Sequence, residues 1–247
     1  MEPSEAFDLG LAQRCAGACA LAYRESTIDS ELAHARTVPV LTSSGEQTTL
    51  IAFKGTGSLR DWLTNLKVDF VDLGICKVHA GFWRAAQSLI GQVLTLAQTS
   101  NPAPVIVTGH SLGAALAIET ARLLVRLGRP VEAVYTFGGP RVGNAGFAAL
   151  YNEVLKDKTF RVVHEEDIVP RLPFWHWGYR HVGHEAYLPA TGSRIVMDPK
   201  LPVQLALDAV GLWSDWRNGN LGSAFTDHRI EQYQGHLATL NNQEWIK

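Results

Sequence analysis

The segment PVIVTGHSLGAAL, Pro104–Leu116, seats Ser111 between Gly109 and Gly113. A serine hydroxyl is a weak nucleophile at neutral pH, so a chain that uses one must supply a base to take its proton and an acid to orient that base. Acidic candidates stand in a row in FRVVHEEDIVPRLP, at Glu165, Glu166 and Asp167, and spacing alone does not choose among them. Histidines that follow this acidic row are His176, His181, His184, His228 and His236. His228 comes late, in FTDHRIEQY, where Thr226 and Asp227 suit a helix N-cap. His181 and His184 lead directly into a strand-like run. No close-set ligand pattern such as HExxH or paired CxxC accompanies them, so no metal is expected.

These groups need a scaffold, and the periodicity describes one. Val105, Ile106 and Val107 read as a buried strand, whereas Leu112, Leu116, Ile118, Ala121 and Leu124 recur at helical spacing until Gly128 and Pro130. Ser111 therefore sits where a strand turns into a helix, with glycines expected to relieve the strained backbone. A G-x-S-x-G sequence in that context resembles the nucleophile elbow of the α/β-hydrolases. In that fold the acid and the base follow the nucleophile along the chain, which removes His34, His79 and His110 as bases. His110 is then expected to be a packing or hydrogen-bonding residue at the turn.

Alternation continues on both sides of the elbow. Strands are predicted near Val38–Leu41, Thr48–Phe53, Val131–Phe137, Phe160–His164, Glu185–Leu188 and Ser193–Met197, and helices over Phe82–Ala97 and Asn144–Leu155. This is an α/β pattern: a mainly parallel central sheet with helices on both faces and a site at the carboxyl ends of the strands. The stretch Pro199–Thr226 carries a short helical pattern around Val203–Leu212 and then WSDWRNGNLGSA, which reads as loop.

At 247 residues, 46% hydrophobic and 19% charged, the chain suits one large domain, taken as 1–247. A net charge of −2 with dispersed basic residues gives no footprint for nucleic acid. No apolar run reaches the roughly 20 residues of a transmembrane helix, and the beginning MEPSEAFDLG is acidic rather than basic. Cys15, Cys19 and Cys76 are odd in number, and the first two lie one turn apart, so all three are expected as reduced thiols. These features give the expectation of a cytoplasmic protein, with secretion left open.

Six motifs in order, AFKGTGSLRDWLTNL, VHAGFW, TGHSLGAALA, FGGPRVGN, EEDIVPRLP and DHRIEQY, resemble the class 3 lipases, and the likeness runs from about Leu21 to Leu237. The resemblance implies an α/β-hydrolase that cleaves carboxylic esters of lipids without a cofactor. By its motifs the nucleophile is Ser111, the acid Asp167 and the base His228, with oxyanion donors at Thr56 and Leu112. Lys54 departs from the arginine common at that position in the family, and a lysine cannot reproduce a bidentate guanidinium contact. Feruloyl esterases and phospholipases would keep the same triad. A non-catalytic lipase-like binding protein is the reading from another class, but it need not keep nucleophile, acid, base and oxyanion residues together.

Two further segments bear on substrate access. Leu59, Trp62, Leu63 and Leu66 fall at i, i+3, i+4 and i+7, with Ser58 and Asp61 placed as an N-terminal cap. We expect an amphipathic lid over about 57–67, hinged at Gly55 and Gly57, that turns its apolar face toward a lipid interface. The aromatic run PFWHWGY, Pro173–Tyr179, suits either the wall of an acyl or aryl pocket or a plug in the core.

Overall fold

Valine- and isoleucine-rich runs form most of the long strands, because branched side chains are stiff at χ1 and fit a pleated surface. The computed structural model describes residues 6–25, 28–29, 34–41, 47–55, 69–99, 104–164, 167–189, 194–199, 228–240 and 245–246. In chain order its elements begin with helix α1 (Leu9–Arg24) and strands β1 (Ile28–Asp29), β2 (His34–Leu41), β3 (Gln47–Phe53), β4 (Phe70–Asp72) and β5 (Lys77–His79). Helix α2 (Ala80–Thr99), β6 (Val105–His110), α3 (Leu112–Arg126), β7 (Val131–Phe137), β8 (Gly143–Asn144), α4 (Ala145–Leu155) and β9 (Thr159–His164) follow. The remainder is β10 (Tyr179–Arg180), β11 (His184–Leu188), β12 (Ile195–Met197), α5 (Ile230–Thr239) and β13 (Trp245–Ile246).

Nine strands make one sheet in the order β1-β2-β3-β6-β7-β9-β11-β12-β13. Its centre, β3 through β11, is parallel, and antiparallel partners join it at β2 and β12. Crossover helices cover both faces of such a sheet, so its strands are apolar on both sides rather than alternating. In β3, Ile51 and Phe53 enter one core with Phe82 and Leu89 of α2, Leu116 of α3 and Tyr151 of α4. Leu50 and Ala52 enter the opposite core with Leu11 and Cys15 of α1 and Tyr233 and Leu237 of α5. All three cysteines are free and buried.

Helix α3 ends as its sequence indicates, since Gly128 adopts φ +74°, a left-handed conformation open to glycine without a Cβ clash. A small second sheet, β10-β8-β5-β4, was not evident in the sequence. Its strands are two or three residues long, too short to show a period. The parallel strands all point one way: β3 leads into Gly55, β6 into Ser111, β7 into Gly138, and β9 toward Asp167. That edge gathers the candidate chemistry. The proposed lid, with Leu59, Trp62, Leu63 and Leu66, lies outside the described residues, as do Thr56 and the stretch 200–227.

Candidate active site

The turn from β6 to α3 is strained at Ser111 itself, with φ +59° and ψ −128° in a region that residues with a Cβ seldom occupy. Its amide donates to the Phe137 carbonyl at 3.0 Å and its carbonyl accepts from Ala114 at 3.0 Å, so both chain directions are fixed. Serine at an N-cap ordinarily caps its helix with the hydroxyl. Ser111 makes no such bond, which leaves the hydroxyl uncommitted to the helix.

The flanking glycines serve a purpose different from the expected one. Neither takes a positive φ. A Cβ on Gly109 would collide with the Gly113 carbonyl, and one on Gly113 would collide with the Phe53 carbonyl. Glycine is required because three backbone segments converge here, and the strain stays on the serine.

Beyond β9, Asp167 is fully buried, which alone would push its carboxyl upward in pKa. The His228 ring beside it, together with hydrogen bonds from His228, Tyr233 and the Val169 amide, outweighs burial and holds it below the ordinary carboxylate value. The His228 Nδ1 lies 2.9 and 2.8 Å from the two carboxylate oxygens, the Tyr233 hydroxyl donates to Oδ2 at 2.5 Å, and Val169 donates to Oδ1 at 2.9 Å. Tyr233 is locked in turn, its oxygen accepting from the His164 amide at 3.2 Å. Tyr233 was missed from the sequence. Its position in DHRIEQY, one and a half turns beyond His228, was the available signal.

The bond to Asp167 fixes which His228 nitrogen faces the carboxylate and leaves Nε2 buried with no hydrogen-bond partner among the described residues. Gly138 is the floor beneath this pair: a Cβ there would stand 2.6 Å from Asp167 Oδ2 and 3.0 Å from the His228 ring. Because Gly138 follows the residue that accepts the Ser111 amide, acid, base and serine share one small volume. Glu165 and Glu166 lie outside the described residues.

On the opposite flank, a Cβ on Gly55 would come within 3.0 Å of Ser111 Cβ and 2.8 Å of the His110 carbonyl. The end of β3 thus reaches the serine. The Leu112 amide opens α3, among the amides that a helix leaves without an internal acceptor.

The other histidines have different surroundings. His181 is half-buried and donates to the Pro170 carbonyl at 2.7 Å, with its pKa pushed down by desolvation and by Arg161 and Arg141. His184 lies between Asp198 and Asp157, at 2.7 and 3.1 Å. His176 is exposed and stacks on Phe174, and His236 meets the edge of the His164 ring. Trp175 and Trp177 are about half exposed, at 51% and 45%, whereas Tyr179 at the end of the aromatic run is fully buried and stacks on Phe70. Among the described residues no group of three or more His, Cys, Asp or Glu could hold a metal ion. No described helix is long and apolar enough to cross a membrane.

The profile of the family described as Lipase (class 3) matches residues 50–177, just over half of the chain. The chain belongs to the class 3 lipase family. A secreted mono- and diacylglycerol lipase of Fusarium solani is 36% identical over 156 residues, covering 60% of this chain and 46% of the relative. Among solved structures, a lipase from Rhizopus microsporus var. chinensis matches with TM-score 0.62 and 26% identity, covering 76% of this chain and 74% of the other. A triacylglycerol lipase whose catalytic centre is described as a serine protease triad matches with TM-score 0.57 and 30% identity, over 68% of this chain and 66% of that one. The fold is that of the α/β-hydrolases. The chain spans about half the length of the curated relatives it matches. Because the Fusarium relative is secreted, the expectation of a cytoplasmic protein gains no support.

Proposed function

We propose that the protein is a serine ester hydrolase of the lipase or carboxylesterase type, built as one domain, with Ser111 as nucleophile, His228 as base and Asp167 as acid. The observation that carries this reading is the His228 ring, bound through Nδ1 to a buried carboxylate while Nε2, beside the Ser111 turn, has no partner among the described residues. A structural histidine normally satisfies both nitrogens; one held in this way has a nitrogen free to accept a proton.

In the reaction, Ser111 Oγ attacks the ester carbonyl while His228 Nε2 takes its proton. Asp167 holds the ring in the required tautomer and stabilises the imidazolium. Negative charge on the tetrahedral oxygen is met by the Leu112 amide and by the amide and hydroxyl of Thr56, and one such donor is typically worth about 3 kcal/mol. His228 then protonates the departing alcohol. Water, deprotonated by His228, releases the acid from Ser111. Neither a cofactor nor a metal takes part.

The substrate is a lipid ester presented at an interface, with Leu59, Trp62, Leu63 and Leu66 on a lid over about 57–67 that closes the site in water. The mono- and diacylglycerol and triacylglycerol substrates in the relatives' names support that class. The test is hydrolysis of p-nitrophenyl esters of increasing chain length beside an emulsified triacylglycerol, by the wild type and by Ser111→Ala. Hydrolysis rising toward long chains and abolished in folded Ser111→Ala is expected. Turnover near wild type in the folded variant would sink the reading.

A further inference from the structure

His110, the neighbour of the nucleophile, is 4% exposed and has both ring nitrogens bonded. Nε2 stands 2.6 Å from the carbonyl oxygen of His228, and Nδ1 stands 2.9 Å from the Tyr23 hydroxyl. A carbonyl only accepts, so Nε2 carries the proton. Burial, reinforced by the adjacent His228, pushes the His110 pKa down to about 3, so the ring is neutral and Nδ1 accepts from the Tyr23 hydroxyl. The Tyr23 hydroxyl is also packed against the Gly55 backbone, where an added Cβ would stand 2.2 Å from its oxygen. One chain of contacts therefore runs from the Gly55 backbone through Tyr23 and His110 to the backbone of His228.

Its two ends lie on opposite flanks of Ser111. Gly55 lies two residues beyond β3 and precedes Thr56, whereas His228 precedes α5. The His110 ring also lies 4.7 Å from the His228 ring, and Tyr23 and Tyr233 meet it edge-on at 5.8 and 6.0 Å. We infer that His110 is a positioning residue: through Tyr23 it ties the backbone before the oxyanion donor to the backbone of the base, and so fixes their separation across Ser111. The inference rests on the reading of Ser111, His228 and Thr56 given above. It assigns His110 no contact with substrate and no proton to transfer. Its effect is geometric, because a transition state tolerates little displacement between the group that attacks and the groups that receive charge.

Three variants test this by kcat and KM on a soluble ester, the pH profile and Tm. His110→Phe keeps a ring but loses both bonds, and should lower kcat at least about tenfold with KM changed less than about twofold. His110→Gln offers an N–H to the His228 carbonyl and an oxygen to Tyr23, and should return kcat to within about threefold of wild type. Tyr23→Phe deletes one hydroxyl and should lower kcat about fivefold, with the rate-limiting pKa unmoved in all three variants.

Wild-type kcat in both phenylalanine variants, whatever their Tm, would reduce His110 to packing. Glutamine no better than phenylalanine at matched Tm would show that the ring rather than its bonds matters. A displaced pH limb would make His110 a participant in proton transfer, and each of these results overturns the proposal. Should His110→Phe fail to fold, Tyr23→Phe decides alone. A wild-type rate retained by Ser111→Ala would instead refute the underlying catalytic reading.

Discussion

The protein sets a histidine against a carboxylate at each edge of its main sheet, and the two pairs differ in what is left over. At the carboxyl edge, His228 meets Asp167 through one nitrogen, and the other has no partner among the described residues. At the amino edge, His184 at the start of β11 gives one nitrogen to Asp198 and the other to Asp157. The two rings are equally buried, at 4% each. Their carboxylates are not: the Asp167 side chain is wholly buried, while those of Asp198 and Asp157 are 46% and 80% exposed. Burial and a nearby acid therefore do not distinguish a chemical histidine from a structural one. The distinguishing features are a spare nitrogen and an acid whose other contacts are already fixed, as Tyr233 and Val169 fix Asp167.

Exchanging the acid for its amide at each edge should give opposite phenotypes. Asp167→Asn should lower ester turnover by roughly a thousandfold or more, since an amide can present the wrong partner to Nδ1 and stabilises no imidazolium. Asp198→Asn should leave turnover within about twofold and lower Tm by about 2–4 °C, the shift that about 1 kcal/mol produces in a chain of this size. Loss of turnover in Asp198→Asn with no effect of Asp167→Asn would reverse the assignment of the two pairs.

A finer cut removes only the outer support. Tyr233→Phe takes one hydrogen bond from Asp167 and leaves the carboxylate in place, so kcat should fall about tenfold while Asp167 still orients His228. Rates measured at saturating ester would show it, and an unchanged kcat would mean that the other bonds to Asp167 suffice.

The acid side of the stability curve gives the smallest effect. Asp167 has a folded pKa below its ordinary value, so its contribution to stability is complete above about pH 4 and is lost as pH falls through the folded value. Thermal melts from neutral pH downward should therefore show Tm falling below about pH 4, with a shallower fall in Asp167→Asn. Identical slopes in the two proteins would mean that Asp167 contributes nothing to that limb.

Long periodic elements were legible in the sequence. Val131–Phe137 has the predicted bounds as a strand, and the helix α3 takes in the helical spacing from Leu112 to Leu124 and stops before Gly128. The alternation of strand and helix also indicated the edge where the site would lie. The choice of Asp167 over its neighbours was not legible, because an acid's role depends on which side chain a distant segment brings to it; here His228 and Tyr233 arrive from more than sixty positions away. For the same reason His110 could be removed as a base by chain order, but its bonds to Tyr23 and His228 could not be foreseen. The glycines at 109 and 113 were found for an incomplete reason, since the backbone segments that crowd them, Phe53 among them, are invisible to local spacing.

The central claim, that Ser111 is a nucleophile activated by His228, is tested most directly by a neutral phosphonate ester that labels only activated serines, with the site of the adduct read by mass spectrometry. Wild type and His184→Gln should each carry one adduct, on Ser111, formed in step with the loss of ester hydrolysis, and folded His228→Ala should remain unlabelled over the same time. An adduct on another residue, or labelling of His228→Ala at the wild-type rate, would contradict it.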